Sequence, residues 1–101
     1  MKKVVEIFTF KLAVGNTDEA FTSAAEKLNG WMCAQPGFES SLMSRDNDGL
    51  WRDVYIWNSA REAKQASDKF MREVGDSDYM KMIDLATISR FYGELEQVTC
   101  G

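Results

Sequence analysis

Two acidic side chains stand in stretches that otherwise read as apolar. Glu6 lies in Val4 to Leu12, VVEIFTFKL, and Asp53 lies in Trp51 to Trp57, WRDVYIW. A carboxylate whose pKa is raised by an apolar pocket can serve as a general base near neutral pH, so Glu6 and Asp53 are the candidate catalytic residues. The chain contains no histidine. That removes Ser-His-Asp and Cys-His systems, histidine-ligated zinc or haem, and the usual base for neutral pH. The two thiols, Cys33 and Cys100, have no CxxC or CxxH spacing, so neither a zinc site nor a disulfide framework is expected. Both read as free, Cys33 as a packing residue beside an apolar helical stripe and Cys100 as an incidental reactive thiol.

Alternation along a strand places Trp51, Asp53, Tyr55 and Trp57 on one face and Arg52, Val54 and Ile56 on the other. As a ligand wall, those rings could stack a planar aromatic molecule, with the Tyr55 hydroxyl and Asp53 as polar handles. As structure, they are core and interface filler. Trp31, Tyr55, Trp57, Phe70 and Met71 are the candidate substrate-binding residues. Met32, Met43, Met80 and Met82 also fall in structured segments, where thioethers line irregular apolar pockets or fill a core around small alanines.

Those side chains must be positioned by a small set of elements. Val4 to Leu12 alternates as a strand with Val4, Glu6, Phe8, Phe10 and Leu12 on one face. Asn16 with Glu19 forms a capping box for a helix carrying Phe21, Ala24, Ala25, Leu28, Trp31 and Met32, stopped near Gln35 by Pro36 and Gly37. Phe38 to Arg45 and Trp51 to Trp57 form a hairpin around the Asp46 to Gly49 turn, DNDG. Ser59 with Glu62 caps a second helix with a stripe of Ala60, Ala63, Ala66, Phe70, Met71 and Val74, ending at Gly75. DSDYMKMID opens a short extra helix before a last strand near Ala86 to Leu95. The order βαββαβ predicts an α+β fold, ferredoxin-like, with a four-stranded antiparallel sheet and both helices on one face. The first strand then lies between the third and fourth, and Glu6 can meet Arg52 or Arg90 across it.

A chain of 101 residues that is 45% hydrophobic is one domain, residues 1–101, with one core. The formal charge of -4 gives no attraction to nucleic acid or anionic membrane. No stretch approaches the roughly 18 apolar residues of a membrane span, and no signal peptide is read, so a cytoplasmic location is expected. Strands apolar on both faces predict a second copy over the open side of the sheet, a homodimer.

EIFTFKLAVG at Glu6 to Gly15, QPGF at Gln35 to Phe38, YIWNSAREA at Tyr55 to Ala63 and DYMKMID at Asp78 to Asp84 resemble the antibiotic-biosynthesis-monooxygenase-like group of dimeric α+β barrels. The resemblance runs from about Val4 to Leu95. It implies paired sheets with helices outside, a pocket for an aromatic or hydrophobic small molecule in each subunit, and no cofactor. It also implies one of two functions, a cofactor-independent monooxygenase of phenolic compounds or a non-catalytic ligand-binding or interaction protein. Haem-degrading members hold their metal through a histidine on the second helix, and the chain departs from them there.

Overall fold

The computed structural model describes residues 2–100. Strands β1 (Val4–Leu12), β2 (Phe38–Arg45), β3 (Trp51–Trp57) and β4 (Ile83–Glu94) alternate with helices α1 (Asp18–Glu26), α2 (Asn29–Cys33), α3 (Ala60–Glu73) and α4 (Asp78–Lys81). The strands form one antiparallel sheet in the order β2-β3-β1-β4. This is the expected ferredoxin-like arrangement, with β1 hydrogen-bonded along both edges. Among the described residues no helix is long and apolar enough to cross a membrane.

Three local details differ from the sequence reading. The first helix is capped by Thr17, whose hydroxyl accepts from Ala20 N at 3.1 Å, instead of by Asn16. Asn16 instead uses its amide to donate to Ala13 O at 3.0 Å. The same helix is not continuous to Gln35. Leu28 N turns back to Ala25 O at 3.0 Å, a tightened turn, and Asn29 and Gly30 are poor helix formers that do not oppose the break. As a result Cys33 is exposed and not a packing residue. The last strand begins at Ile83, because Ala13 N bonds Met82 O at 2.8 Å and draws the chain into the sheet earlier.

Other local signals hold. Ser59 caps α3 by accepting from Glu62 N at 3.2 Å, while its own hydroxyl donates to Glu62 Oε1 at 3.1 Å. Gly37 has φ +79°, a left-handed conformation, and a Cβ there would run into the Glu62 side chain. That position therefore accepts glycine alone, which fixes where the helical layer returns to β2.

Register sets what each face carries. On the inner face Glu6 lies opposite Tyr55 and Tyr92, Phe8 opposite Asp53 and Arg90, and Val4 opposite Trp57. The helices cover this side. Phe21 of α1 is fully buried, stacked on Tyr79 at 5.0 Å and edge-on to Trp51 at 4.8 Å and Phe10 at 5.6 Å. A second cluster joins Val4 and Trp57 to Ala63 and Ala66 of α3. Among the described residues no layer covers the outer face. There Leu42, Val54, Ile7 and Phe91 form one apolar row across all four strands, with Leu42 62% and Phe91 59% exposed.

Phe21 joins α1 and α4 to the sheet through three aromatic partners. Phe21→Ala is expected to lower unfolding free energy by about 3–5 kcal/mol, a large share of the total for a domain of this size. Urea denaturation followed by tryptophan fluorescence measures it; a change below about 1 kcal/mol would place the centre of the core elsewhere.

Candidate functional site

A cavity of about 210 Å³ lies between the inner sheet face and α2, α3 and α4. From the sheet it is walled by Glu6, Phe8 and Phe10 of β1, Tyr55 and Trp57 of β3, and Ile83 and Ile88 of β4. From the helices come Trp31 and Met32, Ala63, Ala66, Ser67, Phe70 and Met71, and Tyr79 and Met80. The gap has a simple origin. It separates the cluster of Phe10, Tyr79 and Ile83 from the cluster of Trp57, Ala63 and Ala66, and α3 spans the interval with alanines too small to fill it.

The substrate-binding candidates Trp31, Tyr55, Trp57, Phe70 and Met71 all line this one cavity, as does Glu6. Trp31 sits edge-on to Phe70 at 5.6 Å and its indole N–H donates to Glu73 at 3.0 Å, which fastens α2 to α3 at the cavity edge. Met71 is 62% exposed and forms part of the rim. Trp57 is edge-on to Phe38 at 5.4 Å, and its indole N–H is buried without a partner among the described residues, an arrangement that costs stability unless something accepts from it.

The two carboxylates are held in different ways. Glu6 is 6% exposed and its Oε2 accepts from Arg90 Nε at 3.0 Å and Nη2 at 2.8 Å. Its Oε1 receives no hydrogen bond from the described side chains. Arg90 also lies over the Tyr92 ring at 4.9 Å. Of the two cations that could have met Glu6, Arg90 does so. Arg52 lies opposite Thr9, on the outer face.

Asp53 is 5% exposed and is not part of the cavity wall. Its Oδ2 accepts from Tyr55 Oη at 2.5 Å and Tyr79 Oη at 2.7 Å. It lines a second recess with Thr22, Asn29 and Met43, and Tyr55, Phe70 and Tyr79 belong to both spaces. Burial raises the Asp53 pKa above its ordinary value, opposed by the two phenol donors. Burial also pushes both tyrosines up, Tyr55 far above its usual range, with the Asp53 charge adding to it. Tyr79 was legible in the sequence only as an apolar helical position. Nothing in spacing pairs it with a residue 26 positions earlier in another element.

The Asp53 shift fixes a sign. A carboxyl with a folded pKa above its unfolded value contributes stability below the unfolded value, near 3.8, and loses it as pH rises through the folded value. Wild type is therefore expected to lose stability over that interval relative to Asp53→Asn. The difference in urea midpoint between the two, measured from acid to neutral pH, should move in favour of the Asn variant. A flat difference contradicts the burial of an ionisable group at this position.

No family model and no curated protein matches the chain. Solved structures do. SnoaB, a cofactor-independent oxygenase from Streptomyces nogalater, superposes with a TM-score of 0.67 at 14% identity, covering 98% of this chain and 96% of its own. A proposed antibiotic biosynthesis monooxygenase from Chloroflexus aurantiacus J-10-fl gives 0.71 at 12% identity, covering 96% of each chain. A dimeric ferredoxin-like protein from an uncultured marine organism gives 0.75 at 14% identity, covering 100% of this chain and 94% of its own. At these identities the likeness speaks for the backbone alone: the chain has the ferredoxin-like α+β fold of antibiotic-biosynthesis-monooxygenase-like proteins over nearly its whole length.

Proposed function

We propose that the protein is a homodimer that binds a compact aromatic molecule carrying an ionisable hydroxyl in the cavity of each subunit. The observation that carries this reading is an apolar cavity walled by seven aromatic side chains and α3 alanines, with the Glu6 carboxylate in its wall. An apolar cavity of about 150 Å³ takes up benzene, and larger ligand pockets begin near 300 Å³. A space of about 210 Å³ therefore suits one ring or two fused rings.

The chemistry we propose there is oxygenation without a metal or flavin, as the description of SnoaB as a cofactor-independent oxygenase supports. Loss of the hydroxyl proton makes the ring electron-rich. Dioxygen then delivers one oxygen atom to a ring carbon, which loses its hydrogen and becomes a quinone carbonyl, and the other oxygen leaves as water. Either Glu6 in the wall or Asp53 behind it accepts the proton, and the apolar walls exclude bulk water from the reacting ring. Because Glu6 is already committed to Arg90, a second reading stands beside it: the carboxylate only orients the ligand, and the protein binds without turnover.

The dimer reading rests on the open sheet face. The row of Leu42, Val54, Ile7 and Phe91 is flanked on one side by Ser44, Arg52, Thr9 and Ser89, an apolar centre with a polar margin. A second copy is the partner whose surface matches it by symmetry.

Two measurements test these statements. Naphthol titrated into wild type should bind by calorimetry and consume dioxygen, whereas Ala66→Leu, which fills the cavity, should weaken binding at least about tenfold without loss of stability. Binding that survives cavity filling would move the site elsewhere. Binding without oxygen uptake would leave the non-catalytic reading. In sedimentation, wild type should run at twice the chain mass, and Phe91→Glu should run as a folded monomer because the sheet face would bury an unpaired charge.

A further inference from the structure

We propose that Tyr55 and Asp53 form a proton relay that ionises a hydroxyl bound in the cavity, with Tyr79 as the donor that tunes it. The inference rests on the ligand reading above. It answers a question that reading leaves open, namely why a buried carboxylate outside the cavity is wired to two residues inside it.

The geometry is a chain of oxygens. Tyr55 lines the cavity, and its hydroxyl is committed as a donor to Asp53 Oδ2 at 2.5 Å. Its oxygen therefore has lone pairs free to accept, and a ligand O–H is the donor that would complete it. In the proposed step the ligand O–H bond breaks and its proton passes to Tyr55 Oη, while the original Tyr55 proton passes to Asp53 Oδ2. The negative charge moves from Asp53 to the ligand oxygen. Nothing is oxidised, and the complex neither gains nor loses a proton.

The two tyrosines are not equivalent. Tyr79 donates to the same Oδ2 at 2.7 Å, but its ring is stacked on Phe21 at 5.0 Å with an interplanar angle of 24°, so it is fixed in the core. Tyr55 is a strand residue beside Glu6 and only half-buried. We assign transfer to Tyr55. By donating to the carboxylate, Tyr79 stabilises its charged form and makes it a weaker acceptor. Burial works in the opposite direction and favours a protonated Asp53.

Few other charges face the relay. Glu26 of α1 lines the recess on the Asp53 side, and Glu6 with Arg90 forms the ion pair by the cavity. From α2, α3 and β2, no titratable group lines that recess among the described residues. Asp53 is thus the carboxylate through which a ligand proton could move without disturbing the Glu6 pair.

The test uses para-nitrophenol, whose ionised form is coloured, whose single ring fits the cavity, and which stays protonated in mildly acidic solution where a carboxylate can still be ionised. Calorimetry follows binding and absorbance follows ionisation, at a pH where the free probe is almost wholly protonated. Bound to wild type, the probe should show the phenolate band, and the band should fade as pH falls further and Asp53 takes its proton from solvent instead. Tyr55→Phe, which keeps the ring, and Asp53→Asn should each bind the probe while lowering the band about tenfold, the effect of one pH unit in proton affinity. Tyr79→Phe should raise the band. Bound probe without a band in wild type overturns the relay while sparing the ligand reading. Survival of the band in Tyr55→Phe gives the proton to another group and also overturns it. A probe that does not bind wild type at all removes the ligand reading and the relay with it.

Discussion

Strand β1 is hydrogen-bonded along both edges, to β3 and to β4, so its two faces are fixed by register and cannot be adjusted by slipping. One residue of slip would exchange every inner side chain for an outer one. The inner set of Val4, Glu6, Phe8 and Phe10 supplies core and cavity wall. The outer set of Val5 and Ile7 supplies the middle of the uncovered apolar face, with Thr9 at its polar margin. Cavity wall and open sheet face are therefore two sides of one strand, and an insertion within β1 would disturb both at once.

The same register decides how the sheet accommodates two buried acids. Phe8 brings Asp53 and Arg90 to its two sides, and Glu6 brings Tyr55 and Tyr92. Glu6 reaches diagonally to Arg90, whose guanidinium is half in solvent, and the pair ties β1 to the edge strand β4. Asp53 has no cation within salt-bridge distance among the described residues and is satisfied by neutral phenols from β3 and α4. A pair with a cation keeps its charge where it is, whereas a carboxylate held only by hydroxyl donors can accept a proton without stranding a buried positive charge. That contrast is the physical reason for placing proton movement at Asp53 and anchoring at Glu6.

Much of this was legible in the sequence because alternation and capping are local. The faces of β1 and β3, the Ser59 cap and the DNDG turn each follow from spacing of a few residues, whereas the convergence of Trp31, Tyr55, Trp57, Phe70 and Met71 follows from the βαββαβ order that packs their elements together. Where the reading failed, competing local choices were nearly equal in energy. Thr17 and Asn16 are both good caps, and a single hydrogen bond at Leu28 decides between one helix and two. The contribution of Tyr79 was illegible for a different reason: α4 has four residues, too few to establish a face, and its orientation is set by stacking on Phe21 far away in sequence. The cavity was hidden too, since Ala63 and Ala66 read as ordinary packing alanines until the opposing wall is known.

Those alanines show that the cavity is a property of the pair of surfaces and not of either alone. A helix with leucine at those positions would still be amphipathic, would still dock on Trp57, and would bury more apolar surface, by ~25 cal/mol for each Å² removed from water. Keeping alanine there forgoes stabilisation that a core of this size could use. The cavity borders Glu6 and Tyr55, the polar groups of the sheet wall, whereas Phe21 is packed against three other aromatic rings. A space left unfilled beside polar side chains, in a core that packs its rings closely elsewhere, is the physical ground for the proposed binding reading.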